Sequence, residues 1–378
     1  ELLISTISRD ATGMITGVTM CNHDSSDCRT NEILSYDASN IYPTETRNSE
    51  GHEVDQIFDS LLDRRAFAVD VNGLLTAFKY DGFGRPTQVT LADGRWETTK
   101  YSALGPDVRS PMKVRSEDSR GIFAERHYNH RGQLKRTQWK GPKGQLLSSS
   151  LTYDRRGRLT AVREPFDPLG GEVVHITRFE WDNIDRIRER TRPGDEIATW
   201  TYPDLFTTEY TDEVGRRTVS TVDVHRRTAT TTQFGTPICP TCSDERTTVY
   251  RYGAFGRLAS AADPAGNITE IDYDGRGRRS RLDEPNSGRT RLFYTPFDEL
   301  RERIDHAGSI MTWTHDSLGR PLTRVSDDGT NTFTYDVGAG AIGKLSSATS
   351  ADGGDDRIRI RPVWTPGGES VEPWWIVP

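Results

Sequence analysis

Four cysteines and one glycine-rich run are the residues of this 378-residue chain whose types and spacing could carry chemistry. Cys239-Pro-Thr-Cys242 has the spacing of a redox dithiol, but that chemistry places the pair at a helix start, where the thiol pKa is lowered. Thr247-Thr-Val-Tyr-Arg-Tyr252 follows instead, and such a run reads as strand. Taken with Cys21 and Cys28 the pair offers four thiolates for zinc, although Cys-x(6)-Cys is poor spacing for a knuckle. Two local disulfides, Cys21–Cys28 and Cys239–Cys242, are the favoured pairing because both pairs lie in polar stretches. Free thiols are the remaining alternative. Disulfides point to an exported protein.

Gly338-Ala-Gly340-Ala-Ile-Gly343-Lys344 matches G-x-G-x-x-G and nearly matches the phosphate loop. Both motifs hold phosphate on the amides that open a following helix. Leu345-Ser-Ser-Ala-Thr-Ser350 follows here, with Leu where a metal-binding hydroxyl belongs, so the run reads as a turn. His52-Glu53 lacks the second histidine of a zinc-protease helix, and no G-x-S-x-G occurs. Carboxylates alternate with arginines along strand-like segments and read as solvated pairs. Asn267-Ile-Thr269 is a sequon that matters only in a eukaryotic secretory pathway. No catalytic residue, metal or cofactor is expected.

The elements that would position these residues follow a short repeat. Tyr252, Tyr273, Tyr294, His315 and Tyr335 are spaced 21, 21, 21 and 20 residues apart. Tyr273-Asp274-x-x-Gly277-Arg278 and His315-Asp316-x-x-Gly319-Arg320 carry the full pattern aromatic-Asp-x-x-Gly-Arg, as do Tyr80-Asp81-x-x-Gly84-Arg85 and Tyr153-Asp154-x-x-Gly157-Arg158 earlier, and Tyr335-Asp336 begins it. The register extends back through Tyr128, Tyr101 and Phe58 to Tyr36, and takes in Trp181 and Thr211-Asp212, with a degenerate unit near Phe234. Within a unit the aromatic closes a strand, Asp caps a turn through its side chain, and Gly supplies positive φ. A second turn follows about ten residues later, as at Asp263-Pro-Ala-Gly266, leaving strands of roughly six to eight residues. A fixed period of this size marks units that bury their apolar faces only by stacking.

The fold class is therefore all-β, an array of antiparallel β-hairpins. Gln56–Arg65 also shows helical spacing, but the repeat register assigns it to strand. Three parts are expected: a strand-rich entry segment over 1–30 with a cysteine pair, the array over 31–345, and a polar then Trp-rich tail over 346–378 that lacks the turn pattern and is expected to be irregular. The chain opens at Glu1 in strand-like sequence and reads as a piece of something longer.

Composition fits a thin wall. Hydrophobic residues make up 33% and charged residues 28%, lean for a domain with a dry centre. The net charge of −7, with arginines interleaved among acids, excludes a nucleic-acid surface. No run approaches the length of a membrane helix.

The Y-D-x-x-G-R units at Tyr80, Tyr153 and Tyr273 resemble the YD (Rhs) repeat, and Phe333-Thr-Tyr335-Asp336 followed by Ile342-Gly343-Lys344-Leu345 is similar to a variant of it. The resemblance covers about residues 30–350. It implies a spiralling ribbon of antiparallel β-hairpins, part of a hollow β-cocoon like the shells of bacterial Rhs polymorphic toxins, insecticidal Tc toxin components and teneurins, which in the bacterial members enclose a C-terminal toxin. The paired Asp-Pro-x-Gly motifs of a bacterial plug region are not seen: Asp167-Pro-Leu-Gly170 and Asp263-Pro-Ala-Gly266 lie far apart, each at a turn. On this resemblance the chain is expected to be an exported, non-catalytic shell segment that partners a polypeptide cargo and neighbouring repeats. The second reading is a surface module binding glycans or a receptor through Trp364, Trp374 and Trp375.

Overall fold

The computed structural model describes residues 3–103, 112–171, 173–235, 245–352, 355–365 and 370–376. It contains 32 strands and one 3-10 turn, Ala254–Gly256. The chain divides into two compact units, residues 1–97 with 272–378 and residues 98–271. Within each, strands pair antiparallel in chain order. In the first unit Glu53–Asp59 pairs Arg64–Val69, which pairs Leu75–Tyr80, which pairs Pro86–Thr90. In the second, Leu134–Lys140 pairs Leu146–Tyr153, which pairs Leu159–Phe166.

Strands run across the ribbon, so successive turns alternate between its two margins. The aromatic-Asp turns share one margin, and the ladder shifts register just before the aromatic, as between Lys79 and Tyr80 or Phe293 and Tyr294. A three-residue hairpin loop with its last residue left-handed produces this bulge. Gly84 is that residue, at φ 72°.

The ribbon is one layer thick. Only Ala198 and Ala341 are buried apolar residues among the described residues, with Ser148 as the buried polar one. The accessible surface is 23924 Å², against roughly 15,000 Å² for a globular monomer of this mass. Stability must come from ladder hydrogen bonds and side chains lying along the sheet rather than from a dry interior.

The competing helical pattern at 56–65 resolves as strand, turn and strand, with Asp59 Oδ1 accepting from the Leu61 and Leu62 amides. Three expectations need correction. The tail is not irregular: Leu345–Asp352, Asp355–Trp364 and Ser370–Ile376 continue the pairing. Thr211-Asp212 lies on the margin opposite the aromatic turns, because Tyr202 and Val222-Asp223 hold the repeat positions on either side of it. The degenerate unit is thus centred on Asp223 rather than Phe234.

Candidate functional site

Each aromatic-Asp turn is built from its own side chains. Asp81 Oδ1 accepts the backbone N–H groups of Phe83 and Arg85, and Oδ2 accepts Arg85 Nε at 2.7 Å. Asp154 with Arg158, Asp274 with Arg278 and Asp316 with Arg320 repeat this geometry. Residue four must be able to donate to a carboxylate while residue three is left-handed: Gly157, Gly277 and Gly319 have φ of 91°, 86° and 80°. The Arg85 guanidinium, reinforced by two amides, holds the Asp81 carboxyl below the usual range.

The aromatic and the arginine at either end of the turn reach into neighbouring repeats. The aromatic reaches back: Tyr80 and Tyr153 hydroxyls donate to the Arg65 and Leu134 carbonyls at 2.8 Å, and the Trp181 indole N–H donates to Leu159. The arginine reaches forward. Arg158 Nη1 donates to the Asp182 carbonyl and Asp185 carboxylate, Arg278 to Thr295 and Asp298, and Arg320 grips both Asp336 oxygens at 3.0 and 2.7 Å. Arg278 and Arg320 also stack over the next aromatic, Tyr294 and Tyr335, at 4.7 and 4.4 Å. Burial raises the Tyr153 and Tyr335 phenol pKa values. Tyr273 heads its turn in the same way, one residue before Asp274.

Sequence reasoning missed two members of this set. Tyr202 takes the back-reaching position, donating to Ile187, while Asp204 rather than residue 203 caps the turn. Pro203 hides the motif. Trp364 does the same after an enlarged turn: its indole donates to Leu345 and Lys344 lies over its ring at 4.7 Å. It is half-buried and committed to the ribbon, so it is not a bare contact for a glycan. The side chains of Trp374 and Trp375 lie outside the described residues.

A second assembly lies within the first unit, where its two stretches meet margin to margin. Arg29 donates two hydrogen bonds to Glu299, at 2.5 and 3.0 Å, and its guanidinium sits 3.8 Å from the centre of the Phe297 ring. Both charged side chains are 11% exposed. Ser49 and Glu50 bond Ser317. Asn72 exchanges two bonds with the Ile342 backbone at 2.9 and 3.1 Å, and His52 Nε2 lies 3.4 Å from Asp336. All of these contacts but His52–Asp336 join residues 267 to 270 apart in sequence. Aromatic turns of the later stretch therefore dock in constant register on opposite-margin turns of the earlier one. This seam was not legible from the sequence.

The remaining chemical motifs fall into place as structure. The glycine run 338–344 is the turn that docks on Asn72, and strand rather than helix follows it. Cys21 and Cys28 are cross-strand partners with sulfurs 2.00 Å apart. Cys239 and Cys242 lie outside the described residues. Among the described residues no group of His, Cys, Asp or Glu could hold a metal ion. Asp167-Pro-Leu-Gly170 and Asp263-Pro-Ala-Gly266 each close a turn through a bond from Gly N–H to Asp carbonyl.

Residues 67–95, which contain the Tyr80–Arg85 turn, match the RHS Repeat family. Those residues carry one RHS repeat. The fold is shared with chains in two solved complexes. This chain is similar to a chain in the crystal structure of TcdB2-TccC3, with a TM-score of 0.74 at 12% identity, covering 99% of this chain and 26% of that one. A chain in the TcdB2-TccC3-Cdc42 crystal structure matches with a TM-score of 0.72 at 11% identity, covering 99% and 28%. The chain thus spans about a quarter of the length of these solved chains. Curated proteins give no match to its sequence.

Proposed function

We propose that this chain is a non-catalytic segment of an exported shell wall that secludes a polypeptide cargo, such as a toxin segment of the same protein. The seam carries this reading. A hairpin ribbon one layer thick has solvent on both faces, and it becomes a barrier only if successive passes close against each other. Arg29–Glu299, Ser49–Ser317 and Asn72–Ile342 do that at spacings that leave the turns in register. The likeness in fold to chains of TcdB2-TccC3 complexes supports the same role, and the Cys21–Cys28 bond suits an oxidising compartment. Containment needs no reactive group: paired hydrogen-bonding groups and polar side chains give an enclosed polypeptide little apolar surface to adhere to.

Limited proteolysis of the full-length native protein tests this. Polypeptide outside the repeat array is expected to resist protease while the seam is intact and to become cleavable in Arg29→Glu, at unchanged strand content. Equal cleavage in both proteins removes the containment reading.

A further inference from the structure

Asn72-Gly73 is the only Asn-Gly pair in the sequence, and the fold places it at the seam. The half-buried Asn72 side chain exchanges two bonds with the backbone of Ile342, 270 residues away: Nδ2 donates to the carbonyl and Oδ1 accepts the N–H. Only a carboxamide serves both groups, because a carboxylate accepts and does not donate. Gly73 is exposed, lies at φ 75°, and has open space where a Cβ would stand. The seam contacts Arg29–Glu299 and Ser49–Ser317 are made by groups that do not change spontaneously.

An asparagine followed by glycine can react with its own backbone. The Gly73 nitrogen, once its proton has passed to hydroxide or another base, attacks Asn72 Cγ. The Cγ–Nδ2 bond breaks, ammonia leaves with a proton from water, and a five-membered succinimide remains. Water then opens the ring at one of its two carbonyls. Opening at Cγ gives aspartate; opening at the former main-chain carbonyl gives isoaspartate, with the chain rerouted through the side chain. Glycine favours this because no Cβ shields its nitrogen.

Ring closure consumes the carboxamide that the two Ile342 bonds hold in place, so it competes with docking. The bond from the Gly73 N–H to the Asp70 carbonyl, at 2.9 Å, belongs to the turn alone. After conversion, the oxygen that replaces Nδ2 faces the Ile342 carbonyl, acceptor against acceptor.

We infer that Asn72-Gly73 is a self-modifying site that makes a transient opening of the seam permanent. Docking preserves the carboxamide, each opening frees it to cyclise, and neither product restores the donor that the Ile342 carbonyl takes. The inference rests on the seam geometry and not on cargo seclusion.

Ageing the purified chain at mildly alkaline pH, followed by peptide mapping with mass detection, tests it. The Asn72 peptide should gain the mass of an amide-to-acid exchange and divide into aspartate and isoaspartate forms. Asn72→Gln should stay unconverted, because its ring closure would be six-membered. Asp336→Ala removes the carboxylate that accepts the Gly343 N–H, and so loosens the turn bearing Ile342. Conversion in that variant should be at least about fivefold faster than in the parent, since a site that reacts only when open reacts in proportion to its open population. Arg29→Glu, which weakens the seam at another contact, should accelerate it too. Deuterium exchange reads the consequence: the aged parent and fresh Asn72→Asp should both take up label faster over residues 338–344 than the fresh parent. Equal conversion in the parent and both seam variants, no conversion in any of them, or an Asn72→Asp exchange pattern matching the parent's overturns the inference. Far-UV circular dichroism matching the parent's establishes that each variant is folded. Proteolysis of the full-length protein reads a different property, so this inference and the containment reading can each fail alone.

Discussion

Arg29 and Glu299 stand 270 residues apart and meet in a two-bond ion pair that is nine-tenths hidden from solvent, roofing the Phe297 ring. A charge so placed is stabilising only while its partner remains. Arg29→Ala leaves Glu299 with Thr295 as its remaining side-chain donor, beside His315 at 3.9 Å, and should cost about 2–4 kcal/mol in chemical denaturation. Adding Glu299→Ala should recover part of that loss, giving a favourable coupling energy in a double-mutant cycle. Additive single effects would mean the pair does not hold the seam.

The strand pattern was legible because its cause is local. Asp81, Gly84 and Arg85 build their turn within five residues, and Tyr80 needs only the preceding hairpin. The seam was invisible for the opposite reason: Asn72 and Ile342 are 270 residues apart, and no single repeat encodes their meeting. Thr211-Asp212 was misplaced because Asp-x-x-Gly-Arg builds a sound turn on either margin, as Asp212 shows by accepting the Val214 and Arg216 amides. Only the back-reaching aromatic tells the margins apart, and there it is Tyr202. Trp364 escaped because the turn from Asp336 to Lys344 is enlarged, so the period stretched.

Two glycines separate backbone strain from crowding. Gly73 and Gly288 both have positive φ, at 75° and 69°. A Cβ on Gly73 meets nothing within 4 Å, while one on Gly288 lies 2.7 Å from His306 Cβ. Gly73→Ala should therefore cost roughly 1 kcal/mol, the left-handed strain alone, and Gly288→Ala at least about twice that. Thermal unfolding of the two variants reads the difference; equal costs would mean the Asp305–Gly308 turn moves aside freely.

The Cys21–Cys28 bond closes the hairpin whose next residue is Arg29. Non-reducing peptide mapping should recover the two cysteines in one linked peptide. Reduction by a small thiol should lower stability by about 2 kcal/mol, the scale expected for a short closed loop. It should also raise deuterium uptake around Phe297 and Glu299, which the adjacent Arg29 touches. Uptake confined to the hairpin itself would show that disulfide and seam are independent.

Asp336 gives the seam a defined acid response. The Arg320 guanidinium is the largest influence on its carboxyl, burial opposes it, and the Gly343 amide adds to the lowering, so the pKa sits below the ordinary 3.8. A carboxylate depressed on folding contributes stability that is fully present above its unfolded pKa and is lost as pH falls through the folded one. Asp336→Asn removes that contribution. The gap in unfolding midpoint between parent and variant should therefore be widest near neutrality and hold down to about pH 5, then close through the range below about pH 4 as the parent's carboxyl protonates. A gap that persists unchanged into strong acid would assign the loss to altered packing of the 338–344 turn rather than to the charge that Arg320 and His52 face.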